Sequence, residues 1–427
     1  MTRAIARFRT SRTITPPTTP LVGMGTVPPA ACPLSYRLGA RALRDARIVP
    51  VASTLYAVGG LYGNTCALAA IRERARREPQ PPTIIFNGDF NFFNAEPRWW
   101  RELNEQVRDG EGHAVMAGNV EVESSDFAST SCGCGYPSYV SAGVVERSDR
   151  IVGALRSSAA AAAAPDLVAW LQGLPKALVA EVGEQRRRVG VVHGDVESLA
   201  GWQLGIEAME PPDTALRAAL GCTEADGAAY LPITPRVKLL SWFADAQVSG
   251  LLCTHTCLPF GQIWDTFGSG EEHGGAVVGA GRGRRAVFNN GSAGMANFSG
   301  TTFGLITRVS ADLTVPSDSM YGGVADGLRY DALPVTSRAL SPLMEPDCML
   351  TASLIRYDAL PVHFDTEAWL ERFGARWPEG SDAHLSYYKR IVQGPGGFTV
   401  RDASRHLVEI TRRVSPEAER GNQHYVS

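Results

Sequence analysis

Five times along this chain a short apolar run gives way at once to a compact polar cluster. TIIF (83–86) leads into Asn87-Gly88-Asp89, and AVMA (114–117) into Gly118-Asn119. VGVV (189–192) leads into His193-Gly194-Asp195 and LLC (251–253) into Thr254-His255-Thr256-Cys257. AVF (286–288) leads into Asn289-Asn290-Gly291-Ser292. Runs this short suit buried strands rather than helices. In open α/β sheets the carboxyl ends of the strands form the ligand crevice, so five polar strand ends can meet in one place.

The remaining periodicity agrees with such a scaffold. Strands are expected at Thr54–Val58, Ala177–Glu181, Ala276–Val278 and Phe303–Val309 as well as at the runs above. Helices are expected at Thr65–Arg77, near Arg98–Val107, within Pro137–Arg156 and at Pro235–Ala246. Alternation of this kind indicates layered α/β architecture. The alanines Ala159–Ala164, stopped by Pro165, read as a linker between helices. RYDALPV occurs twice, at Arg329–Val335 and Arg356–Val362; two copies are too few for a solenoid and suit two similarly placed strand ends.

Three segments are expected: an Arg/Thr/Pro-rich tail over 1–48, a catalytic-type domain over 49–365, and a helical extension over 366–427. The tail composition also fits a transit peptide, and Met24 could serve as an alternative start. With 44% hydrophobic and 20% charged residues the chain is of ordinary globular composition. No apolar run approaches the ~18–20 residues that span a bilayer. A net charge of −3 gives no general reason to expect nucleic acid or an anionic membrane. Eight cysteines in 427 residues are too sparse for a disulfide scaffold, which points to a cytoplasmic setting.

A carboxylate, a carboxamide and two imidazoles (Asp89, Asn119, His193, His255) form a mixed O/N set suited to a divalent metal such as Mn, Fe or Zn. Such an ion polarises phosphoryl oxygens and acidifies water. The ordered set GD, GN, HGD, THT and NNGS, preceded by YGN, resembles the calcineurin-like metallophosphoesterase family over roughly residues 54–365. The resemblance implies a four-layer α/β/β/α sandwich of two mixed β-sheets flanked by helices. It also implies two metals bridged by Asp89, with a small phosphate ester as substrate.

The departures from that family fall on one side. Its first motif, Asp-x-His-Gly-Asn, appears here as Gly60-Leu61-Tyr62-Gly63-Asn64, and Cys257 replaces the last His of its Gly-His-Thr-His motif. Val120 stands where the family has a phosphate-contacting His. By the resemblance, one metal has lost its three unshared ligands while Asp89, Asn119, His193 and His255 retain the other. The expectation is therefore one metal per chain. Tyr62 fills the vacated volume or orients substrate, and Asn64 contacts substrate. Cys257 is either a soft ligand for a second ion or a small buried residue.

Other residues leave alternatives open. Cys132 and Cys134 form either a plain turn or a thiol pair facing the crevice. Asp195 and Glu197 either orient a ligand imidazole or cap a helix. Gly279–Gly283 reads as a basic loop, and His273 as a loop residue without a catalytic role. Three functions compete: a metal-dependent hydrolase of phosphate mono- or diesters, a non-catalytic phosphate- or nucleotide-binding relative, and a thiol-containing metal centre with other chemistry. Oligomeric state is not legible.

Overall fold

A computed structural model of the chain describes residues 34–128, 133–222, 231–265, 283–326 and 354–414. Its strands, in chain order, are β1 (Ile48–Val51), β2 (Thr54–Val58), β3 (Thr83–Asn87), β4 (His113–Met116), β5 (Ala177–Val182) and β6 (Arg187–Val192). They continue as β7 (Gly250–Cys253), β8 (Phe260–Asp265), β9 (Arg284–Asn289), β10 (Gly304–Ser310), β11 (Tyr321–Asp326) and β12 (Leu354–Val362). Two six-stranded sheets result, ordered β11-β12-β10-β2-β3-β4 and β1-β5-β6-β7-β9-β8. Both are mixed: β2-β3-β4 run parallel, as do β6-β7-β9 and β1-β5, while β10, β12 and β11 add antiparallel pairings to the first sheet and β5 with β6 and β8 with β9 add them to the second.

Alternation along the strands explains the layering. In β2, Leu55 and Ala57 belong to the core that also holds the second sheet's valines, whereas Tyr56 and Val58 pack in a separate cluster with helix residues Leu68, Ile71, Trp100 and Leu103. β3 repeats the pattern with Ile85 on one face and Ile84 and Phe86 on the other. Successive side chains of a strand point to opposite faces, so a strand buried on both faces must be apolar throughout. That is how TIIF reads. The architecture is the two-sheet α/β sandwich expected.

The structure corrects the margins of the sequence reading. The tail does not run to residue 48: a 3₁₀ turn at Leu34–Tyr36, a helix at Ala40–Arg44 and β1 precede or reach that point, with Tyr36 and Leu43 buried. Averaged composition hid these few apolar residues among arginines. The alanine run is largely the last turn of a helix, Ala142–Ala161, with Ala159, Ala162 and Ala164 buried, and Pro165 opens the next helix as its first residue, where proline is tolerated. β8 and β11 were not anticipated. The second RYDALPV copy lies within β12. Its Pro361 pairs with Leu305 of β10 but lies beyond the end of β11, so its missing N–H breaks no ladder on that side. The first copy, the strand expected at Ala276–Val278, His273 and most of the Gly279–Gly283 loop fall outside the described residues.

C-terminal to β12 come helices at Thr366–Arg376, Asp382–Gln393 and Val400–Val414. The first two are anchored through Trp369, Phe373 and Ile391 in a core shared with Tyr62, Phe92 and Phe93. No helix among the described residues is long and apolar enough to cross a membrane.

Candidate metal centre

The polar clusters sit at the carboxyl ends of β3, β4, β6, β7 and β9, and the two sheets bring these ends together. Asp89 follows β3 in a left-handed conformation, φ 55°. Asn119 opens the short helix Asn119–Ser125 after β4. The His193 carbonyl accepts from the backbone N–H groups of both Thr254 and His255 at 3.0 Å, which locks the β6 and β7 loops to each other. Asn290 bonds the carbonyls of Gly59 and Leu305, and the Ser292 hydroxyl bonds that of Gly60. The fifth cluster is thus a clamp between sheets.

Close approach explains the glycine of the GN motif. A Cβ on Gly118 would lie 2.4 Å from Asp89 Oδ1 and 2.8 Å from His193 Cε1. Only glycine lets the two loops come this near.

Three side chains converge on His193 Nε2, which is buried. Asn119 Oδ1 lies 3.2 Å away, His255 Nδ1 3.2 Å and Asp89 Oδ1 3.3 Å. The outward-facing atoms fix which lone pairs point inward. His193 Nδ1 donates to the Asn87 carbonyl at 2.8 Å, and His255 Nε2 to the Cys134 carbonyl at 3.0 Å. Asn119 Nδ2 donates to Glu123 Oε1 and Cys134 Sγ. These partners assign the tautomers and the amide orientation, leaving two imidazole nitrogens, an amide oxygen and a carboxylate oxygen facing one another. One proton on His193 would satisfy Asp89 alone. A cation at the centre satisfies all four.

The spacing fits that demand. Ligands ~2.1 Å from a common ion stand ~3.0 Å apart at right angles and ~3.4 Å apart at the tetrahedral angle. Asp89, His193 and His255 form a buried group of metal-capable donors. Without an ion, burial alone would raise the Asp89 carboxyl, but His193 and His255 beside it hold it below its usual value. Burial would likewise lower His193, yet Asp89 and the Asn87 carbonyl hold it above normal. His255 is pushed down to about 4 by burial and by its neighbour His193, so it stays a neutral ligand at physiological pH.

A supporting shell went unread in the sequence. The Glu121 carboxylate accepts from the backbone N–H groups of Gly118, Asp89 and Phe90 at 3.0, 2.7 and 3.0 Å, joining the GD and GN loops. Burial and the nearby Asp89 push it up to about 7. Glu123, pushed up to about 8 chiefly by burial, orients Asn119 and accepts from Tyr36 at 2.7 Å. Glu121 completes a readable motif. No local signal marks Tyr36, 87 residues away in the chain from Glu123.

The erased half looks different. Tyr62 is also left-handed (φ 54°), its ring packs on Phe92 and Phe93, and its hydroxyl lies 2.8 Å from Cys257 Sγ. A Cβ on Gly60, itself at φ 65°, would stand 2.9 Å from that ring. Gly60 and Tyr62 are therefore one device: the ring occupies the space into which a side chain at 60 would extend. Cys257 (φ 61°) also contacts the His255 carbonyl. Its sulfur is not part of the buried Asp89–His193–His255 donor group.

Other expectations need correction. Asn64 does not face substrate: fully buried, it caps the helix Thr65–Ala75 by accepting from Ala67 N and donates to the Gly294 carbonyl. An Asn directly before a helical pattern is an N-cap signal, and the sequence showed it. Asp195 neither orients His193 nor caps a helix. It closes a turn by accepting from the N–H groups of Glu197, Ser198 and Gln203, while Glu197 pairs with Lys238 at 2.9 Å. Cys134 is disulfide-bonded and so is not a free thiol for a metal. Cys132 lies outside the described residues.

A cavity of about 190 Å³ opens over the centre, lined by Tyr62, Asp89, Asn119 and His255 together with Phe92, Val120, Tyr136, Trp202, Cys257, Tyr387 and Arg390 among others. Trp202 packs edge-on against His255 at 5.4 Å and bonds the same Cys134 carbonyl.

Fold and site together define a two-sheet α/β protein with a buried Asp–Asn–His–His cluster at its strand ends, the arrangement the motif order led us to expect from its resemblance to the calcineurin-like metallophosphoesterases. No protein-family model and no curated protein matches the chain. Among solved structures it aligns with a metallophosphoesterase from Sphaerobacter thermophilus at 14% identity and TM-score 0.39, over 81% of this chain and 100% of that one. A hypothetical protein from Pyrococcus horikoshii aligns at 14% identity and TM-score 0.40, over 81% and 99%. A serine/threonine phosphatase from Saccharomyces cerevisiae aligns at 13% identity and TM-score 0.28, over 63% and 79%.

Proposed function

We propose that the chain is a metal-dependent hydrolase of phosphate mono- or diesters that works with one divalent ion, Mn, Fe or Zn. The observation that carries this reading is the set of inward-facing donor atoms in which Asp89 Oδ1, Asn119 Oδ1 and His255 Nδ1 lie 3.2–3.3 Å from His193 Nε2. An ion held there supplies Lewis-acid polarisation of a phosphoryl oxygen and lowers the pKa of water.

The residues of the chain do the rest. Asn87 and Cys134 keep both imidazoles in the ligating tautomer through their carbonyls, an outer shell of the kind that fixes ligand orientation. The aromatic walls Phe92, Tyr136, Trp202 and Tyr387 exclude water from the reacting group and strengthen every electrostatic contact within. Val120 offers no proton to a leaving group. The Tyr62 phenol, held well above its ordinary pKa by burial and by Cys257 and Asp89 nearby, stays protonated and can donate. With this weaker acid in place of an imidazole, esters with good leaving groups are the favoured substrates.

A panel of phosphomonoesters and phosphodiesters, including 4-nitrophenyl esters, tests the reading on metal-loaded protein. Turnover lost in His193→Ala is expected. Full metal loading without hydrolysis of any ester would favour the non-catalytic binding alternative, for which the filled Tyr62 position speaks. The thiol-centre alternative has less support, since Cys134 is disulfide-bonded and Cys257 engages Tyr62.

A further inference from the structure

The helix Asp382–Gln393, outside the motif-bearing part of the chain, forms one wall of the cavity through Tyr387 and Arg390. Its position is fixed from several sides. Arg150 pairs with Asp382 at 2.7 Å, Arg147 Nε donates to Ser386 at 2.6 Å, and Gly300 N donates to the Gln393 carbonyl at 2.7 Å. Tyr387 packs against Phe92 and Phe93, with ring centroids 5.4 and 5.1 Å apart.

Arg390 lies in the last turn of this helix, where any solvent-facing cation would complement the helix dipole. It turns inward instead. One terminal nitrogen donates to the Cys257 carbonyl at 2.5 Å, which holds the guanidinium in place. Its Nε is buried and has no hydrogen-bond partner. Among the described residues lining the cavity, Arg390 is the only Lys or Arg. A guanidinium fork matches phosphate oxygens. The same cavity carries Asp89, Asn119 and His255, so an anion between the two features would meet the cation from one side and the metal-ligand cluster from the other.

We propose that Arg390, which lines the cavity, is the phosphate-anchoring residue of this site, its guanidinium supplying an N–H not engaged by the Cys257 carbonyl to a non-bridging oxygen of the substrate, and that the C-terminal extension is thereby part of the active site. This rests on the reading of the cavity as a phosphate-ester pocket. It assigns to residue 390 the anion contact that Val120 cannot make.

The test is calorimetric titration of the full chain, loaded with Mn, with inorganic phosphate. Arg390→Met should weaken the phosphate Kd about tenfold or more, the range for loss of a charge-assisted bond, with Mn stoichiometry unchanged. Arg390→Lys keeps a donor for the Cys257 carbonyl but not the planar fork, and should fall between; it carries the test if the Met variant does not fold. Phosphate affinity within twofold of wild type in these variants overturns the proposal, and so does wild-type protein that takes up Mn but binds no phosphate. If wild type takes up no Mn, the one-metal reading fails by itself. Phosphate titration of the metal-free proteins then decides on Arg390, which is supported by Arg390-dependent binding and overturned by its absence.

Discussion

The two halves of the centre solve opposite problems with neighbouring loops. On the Asp89–Asn119–His193–His255 side, outward hydrogen bonds orient the two imidazoles and the Asn119 amide, and glycine at 118 lets the loops close to 3.2–3.3 Å around His193. On the Gly60–Tyr62–Cys257 side, polar atoms pair with each other, the Tyr62 hydroxyl with Cys257 Sγ at 2.8 Å, and a phenol ring fills the space. The first side presents donors that could hold a cation and the second is self-sufficient. On that side one aromatic ring and one thiol fill the volume, and glycine at 60 leaves room for the ring.

That contrast can be broken most directly at the ligands. His193→Ala or Asp89→Asn should reduce bound metal from about one equivalent per chain to almost none, since each ligand lost from a small set removes most of the affinity. Elemental analysis after reconstitution with Mn, Fe or Zn reads this out. A wild-type protein without metal would sink the comparison altogether.

Next comes the erased half. Gly60→Asp places a Cβ 2.9 Å from the Tyr62 ring at φ 65° and should cost about 2–4 kcal/mol in chemical denaturation. Adding Tyr62→His replaces the phenol with a smaller imidazole and relieves that contact, so the double variant should be more stable than Gly60→Asp alone. Simple additivity of the two changes would show that the ring and residue 60 are not coupled.

A pH-linked effect sharpens the contrast with a carboxylate outside both halves. Burial pushes Glu207 up to about 7, and the group is 2% exposed. Between pH ~4.5 and ~7 the folded chain keeps a proton that the unfolded chain has lost, so stability falls as pH rises through that window and levels off above it. Glu207→Gln should remove a decline of about 2–3 kcal/mol between pH 5 and pH 8. An unchanged pH profile would mean Glu207 is already ionised in the fold.

The smallest effect belongs to Tyr62→Phe. It deletes the bond to Cys257 and should cost about 1 kcal/mol while bound metal stays at the wild-type level. A drop in metal content would instead make the phenol part of the ligand system.

Much of the site was legible because its members are strand-end residues, and strand ends are marked twice, by an apolar run before them and a turn residue after. Asp89, Asn119, His193 and His255 were all readable in this way, as was the alternation that separates Leu55 and Ala57 from Tyr56 and Val58. Errors arose where one residue type serves two purposes. Asn64 reads as a motif residue contacting substrate and instead caps a helix, and Asp195, which reads as orienting an imidazole or capping a helix, closes a turn; only the bonds they make distinguish these.

The sequence by itself determined the layered α/β class, from local periodicity, and the residue types of the four clustered donors, from their order at the strand ends; the two-sheet form came from the family resemblance of those motifs. The tertiary structure alone decided that the four lone pairs face each other, that the Tyr62 ring and Gly60 exclude one another, and that Tyr36 and Arg390 belong to the site. Arg390 reaches Cys257 across 133 residues of chain, and a contact made by packing whole helices against a sheet leaves no periodic trace along the chain that makes it.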